Sequence, residues 1–77
     1  MTIIEAVVHV MKSAGKPMSP AEVAMEIQRA NLYPFKTKDT LGVVRAQMRR
    51  HSEGYDRPTA AVTARLKKVG KDLYTIL

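Results

Sequence analysis

The sequence contains no cysteine and no tryptophan, and among seventy-seven residues only four glycines, four prolines and four aromatic rings. Without cysteine there is no disulfide framework and no thiolate metal site, which fits a reducing, cytoplasmic setting. The longest apolar runs, such as Ala60 to Val62, are three residues, so no stretch can span a bilayer. The amino terminus lacks the basic segment and apolar stretch of a secretory signal. The expectation is a soluble chain without membrane attachment. A Gly-rich phosphate loop, HExxH, an acidic calcium loop and a Cys/His cluster are all missing, so neither a metal, a cofactor nor a small-molecule ligand is expected. The few aromatics do not interleave with basic residues, which disfavours a stacking platform for RNA or single strands. No repeat or low-complexity segment interrupts the chain, and residues 1–77 read as one domain near the lower size limit for a self-sufficient core.

What the chain does have is positive charge, confined to one half. Residues 1–35 hold Lys12, Lys16 and Arg29 against Glu5, Glu22 and Glu26, or 3 − 3 = 0. Residues 36–77 hold ten Lys/Arg against Asp39, Glu53, Asp56 and Asp72, or 10 − 4 = +6, the whole formal net charge. A neutral scaffold joined to a basic half suits a polyanionic partner.

Read in order, the chain is punctuated by caps. Thr2 and Glu5 form a capping-box pair, and Ile4, Val7, Val8 and Met11 recur at helical spacing, so residues 2–14 read as a helix closed by Gly15 and Pro17. Glu5, His9 and Lys12 share its opposite face, which makes His9 a surface histidine. Lys16 to Met18 form a short extended link able to pair with a later hairpin. Ser19, Pro20 and Glu22 then open a second helix, with Met18 stapling onto Val23 and with Val23, Ile27 and Ala30 inward. It should stop near Asn31, because Pro34 biases Tyr33 away from helical angles. Leu32, Tyr33 and Phe35 are expected at the core or its edge.

Residues 37–52, TKDTLGVVRAQMRRHS, read as a third helix with Thr37 capping its start, Asp39 and Thr40 suiting its first turn and Gly54 closing it. Leu41, Val44 and Met48 make an apolar stripe; Lys38, Gly42, Arg45 and Arg49 make a second one about a quarter-turn away, at about 100° per residue. Residues 53–63 carry Gly54, Asp56 and Pro58 and read as a loop, although Thr59 to Thr63 could equally begin a strand. Residues 65–69 and 73–77 then make two short strands around Gly70-Lys71-Asp72, with Lys67, Lys68 and Lys71 at or near the tip. Either Leu66 with Tyr74 or Leu73 with Ile76 would face inward. His51, Ser52 and Glu53 contain the residue types of a catalytic triad, but sequence neighbours on a helix point apart. His51 reads instead as a helix-end histidine, and no enzyme is expected.

Three helices, the third of them basic, followed by a C-terminal β-hairpin wing give the α+β order of a small winged helix-turn-helix. The stretches AGKPMSPAEVAMEI, NLYPFKTKDTLGVVRAQMRRH and KKVGKDLYTIL also resemble the HARE-type winged helix-turn-helix domains (HARE-HTH). Similar domains are joined to restriction and DNA-modifying enzymes, and occur in chromatin regulators and in the delta subunit of bacterial RNA polymerase, whose role is to bind polymerase. The chain departs from that pattern in a longer loop after the third helix and in Lys38, where a proline is common. The resemblance implies a non-enzymatic DNA-binding domain linked to transcription regulation or to DNA modification and restriction, nucleoid-associated if the source is bacterial. Its partner would be double-stranded DNA. Lys36, Lys38, Thr40, Arg45, Arg49 and Arg50 are the candidate contacts on and before helix 3, and Lys67, Lys68 and Lys71 those of the wing. The alternative is a protein-interaction module whose basic face meets an acidic protein partner such as RNA polymerase.

Overall fold

The computed structural model describes residues 2–53 and 64–77. Their order is α1 (Ile3–Ala14), α2 (Pro20–Arg29), α3 (Thr40–Arg50), β1 (Leu66–Gly70) and β2 (Leu73–Ile76). This is the expected winged helix-turn-helix: three helices and a two-stranded antiparallel hairpin. The reading of Gly54 as a cap and the strand alternative for residues 59–63 fall outside the described residues.

The first two helices begin where their caps are written. Thr2 Oγ1 accepts from the Glu5 amide at 3.2 Å while Glu5 Oε1 accepts from the Thr2 amide at 2.7 Å; Ser19 and Glu22 repeat the exchange at 3.2 and 3.0 Å. Each box satisfies two amides that a helix start would otherwise leave open. α1 ends on Gly15, whose φ of 65° only glycine adopts at no steric cost, and whose N–H reaches Met11 O at 3.0 Å. α2 ends through Asn31 at φ 54°: the Asn31 amide donates to Gln28 O and the Leu32 amide to Ile27 O, a Schellman arrangement. Asn31 thus ends α2 directly, three residues ahead of Pro34.

α3 is shorter than its sequence pattern. Asp39, not Thr37, is the N-cap, its carboxylate accepting from the Gly42 amide at 3.1 Å; Thr37 supports it by accepting from the Asp39 amide. His51 already lies beyond the last helical residue. The buried line is Thr40, Val44 and Met48, whereas Leu41 is 36% exposed. The expected Leu41-Val44-Met48 stripe is therefore rotated toward Thr40. The cause is the α2–α3 seam, where Gln28 Nε2 donates to Thr40 Oγ1 at 3.3 Å and draws that edge of the helix inward. Smaller corrections follow the same logic: Ala6 and Val10 are buried in α1 while Val8 is half-buried, and Ala24 replaces the exposed Ala30 in α2.

The hairpin closes the core. Leu66 and Tyr74 are buried, Leu73 and Ile76 half-buried, so the first of the two inward sets is the one adopted. Lys16 to Met18 pair with the hairpin as expected: Met18 and Tyr74 exchange amide-to-carbonyl bonds of 2.8 and 2.9 Å. At the other edge the His51 carbonyl accepts from the Arg65 and Leu66 amides, and the Glu53 amide donates to Leu66 O. The wing is thereby held between the α1–α2 link and the end of α3.

Candidate nucleic-acid interface

The hydrogen-bonded register fixes which way each wing lysine points. Leu66 faces Ile76 and Lys68 faces Tyr74, so Lys68 lies on the helix-facing side of the hairpin, while Lys67, opposite Thr75, lies on the outer side. The register shifts between Lys68 and Gly70, inserting Val69 as a bulge, and Lys71 and Asp72 form the turn. Lys67, Lys68 and Lys71 are all exposed but do not form a single cluster.

At the turn the wing meets α3. Asp72 accepts from Arg45 Nε at 3.3 Å and from Arg45 Nη2 at 2.8 Å, across 27 residues of sequence. The guanidinium holds the Asp72 carboxyl below its ordinary value of 3.8, and the positive charges of Lys68 and Arg49 act in the same direction. Arg45, Arg49, Lys68 and Asp72 thus belong to one electrostatic neighbourhood built from both elements. Arg45 is accordingly not the free base-reading fork anticipated from the sequence: one edge of it is occupied. Thr40 is not at the surface at all, since it is buried and bonded to Gln28.

Arg49 and Arg50 are exposed on the last turn of α3, and Lys36 and Lys38 are exposed in the segment ahead of it. Turning about 100° per residue from the buried line brings Gly42, Ala46 and Arg49 to the outward side. That side carries no long side chain before Arg49. Sequence reasoning missed Asp72 as a member of the site. The signal available for it was a lone carboxylate in the turn of an otherwise cationic hairpin.

His51 sits where α3 hands over to β1, half-buried, with its pKa lowered by burial and by the positive charges of Arg50 and Arg65. Tyr33 and Phe35 pack edge to face at 5.0 Å between ring centroids and are half-buried against the core, as expected of core-edge residues. Among the described residues no group of three His, Cys, Asp or Glu side chains could hold a metal ion, and no helix is long and apolar enough to cross a membrane.

A family model matches residues 1–62, the greater part of the chain, and it is that of HARE-HTH, the HTH domain of ASXL proteins and restriction endonucleases. The chain belongs to the HARE-HTH family. No curated protein and no solved structure matches it. HARE-HTH is a helix-turn-helix family of DNA-binding rather than catalytic domains. The HARE-HTH match ends ahead of β1, so the three helices carry the family membership and the hairpin is supplied by the structure.

Proposed function

We propose that this HARE-HTH domain binds double-stranded DNA, with α3 entering the major groove and the hairpin resting on the flanking backbone. The observation that carries this reading is that Arg49 of α3 and Lys68 of the wing share one neighbourhood around the Arg45–Asp72 pair. Cations from two elements then face one polyanion together. The small residues Gly42 and Ala46 on the outward side of α3 leave room for close approach to a groove. Lys36, Lys38, Arg50 and Lys71 extend the cationic surface, while Thr40 serves the fold. The family's restriction-endonuclease context supports a role beside DNA modification and restriction or in transcription regulation, in the compartment that holds the DNA.

The test is titration of the isotopically labelled domain with duplex DNA at two salt concentrations. A domain neutralising about five phosphates gives a log–log salt slope of roughly −4 to −5. The moving amides should belong to α3 and the hairpin. A flat salt response, or shifts scattered elsewhere, would transfer the proposal to an acidic protein partner such as RNA polymerase. The outward position of Lys67 is the observation that favours this second reading.

A further inference from the structure

A carboxylate in the middle of a phosphate-binding surface repels the ligand unless it does something else there. Asp72 stands among Arg45, Arg49 and Lys68, in a chain whose net charge is +6. Its backbone is left-handed, at φ 55°, a conformation that aspartate and asparagine tolerate better than other side-chain-bearing residues. The bulge just before the turn bends the strand and increases its twist locally. The two bonds to Asp72 use one N–H on Arg45 Nε and one on Nη2, whereas an arginine offers five N–H donors in a planar fork. Donors on the other edge remain, and the Arg45 side chain is 35% exposed. Ion pairs this open to water contribute little to stability, so fold stability does not account for the arrangement.

We propose that Asp72 is a positioning residue for DNA binding: it grips one edge of the Arg45 guanidinium, seats the wing turn on α3, and aims the opposite edge at a phosphate or base acceptor of the duplex. This rests on the DNA-binding reading and adds to it the residue that sets the geometry between helix and wing. Lysine cannot do what Arg45 does here, because a point charge on a flexible stem cannot hold a carboxylate and a nucleic-acid acceptor in one plane.

The sign of one substitution decides the matter. Asp72→Asn keeps the turn-compatible side chain and removes a negative charge, so charge counting alone expects tighter binding. Positioning expects roughly three- to tenfold weaker binding to a mixed-sequence duplex at low salt. It also expects the salt slope to become shallower by about one as the Arg45 contact is lost. Arg45→Lys should weaken binding to a similar extent although its charge is unchanged. In an Arg45→Ala background, Asp72→Asn should no longer weaken binding and should leave it equal or tighter, because there is then no fork to aim. Loss of the Arg45 Nε–H resonance position in Asp72→Asn would mark the broken pair directly, and melting curves establish that each variant is folded. If Asp72→Asn does not fold, Arg45→Lys alone carries the decision. Parent-like or tighter binding by folded Asp72→Asn, or parent-like binding by Arg45→Lys, overturns the proposal. If the parent domain itself does not bind duplex DNA, the reading of the whole surface falls and this inference with it; if the parent binds and only the variants behave as bystanders, the inference alone falls.

Discussion

Gly42 disfavours α3 by about 1 kcal/mol relative to alanine in intrinsic propensity, yet a Cβ at this position would overlap the Asp39 carboxylate that caps the helix. Propensity and cap therefore oppose each other at one residue. Gly42→Ala should give no net stabilisation, because displacing the cap costs about 1 kcal/mol. In an Asp39→Ala background, where no cap remains to disturb, the same substitution should stabilise by up to ~1 kcal/mol. Denaturant midpoints of the four proteins check this, and a clear gain from Gly42→Ala alone would refute it. His51 gives a residue-scale pH effect. Its pKa is lowered from 6.5 by burial and by Arg50 and Arg65, so the unfolded chain binds the proton more readily than the fold does. The stabilisation from neutral His51 is complete above about pH 6.5 and is lost as pH falls through the lowered folded value. The melting temperature should drop between about pH 7 and pH 5, and His51→Gln should flatten that drop. Below this window, the lowered carboxyls of Asp72, Glu5 and Glu22 lose their bonds to Arg45, Thr2 and Ser19 as they protonate. Their stabilisation is present above their ordinary values of 3.8 to 4.5 and disappears as pH falls further.

Among the elements, α3 shows where sequence reasoning succeeds and where it stops. The capping boxes of α1 and α2 are local exchanges between residues three apart, so Thr2, Glu5, Ser19 and Glu22 could be read directly. The ends of the hairpin and the pairing of Met18 with it were legible for the same reason, as alternating residues around a tight turn and an extended link of fitting length. The rotation of α3 was not legible, because it depends on Gln28 reaching Thr40 across the α2–α3 seam, a contact between residues 12 apart. Nor was the Arg45–Asp72 pair, which joins residues 27 apart and depends on the bulge at Val69. The corrected register has a thermodynamic consequence. Ile27→Ala or Met48→Ala should cost ~2–5 kcal/mol, since both side chains are fully buried, whereas Leu41→Ala should cost well under 1 kcal/mol. Equal losses at Leu41 and Met48 in urea melts would restore the stripe expected from the sequence.

For the molecule as a whole, the separation of charge matters more than its amount. The cations of residues 1–35 lie on α1, its link to α2 and α2; Arg29 is bonded to Glu26 at 2.8 Å, and Lys12 is exposed in the last turn of α1. If DNA binding were only attraction to a basic protein, removing any one of these charges would weaken it as much as removing a charge from α3 or the wing. The assembled face of α3 and hairpin implies otherwise. Lys12→Ala and Arg29→Ala should leave the salt slope unchanged within error, while Arg49→Ala and Lys68→Ala should each make it shallower by about one. The two sensitive positions should also differ from each other. Arg49 carries a fork with no bonded partner among the described residues and, if it reads a guanine edge, its loss should narrow the gap between preferred and random duplexes by ~1–3 kcal/mol. Lys68, a point charge suited to phosphate, should weaken all duplexes alike. Binding isotherms on both duplexes across a salt series separate these effects, and equal sensitivity at Lys12, Arg29, Arg49 and Lys68 would reduce the interface to diffuse charge with no docking geometry behind it.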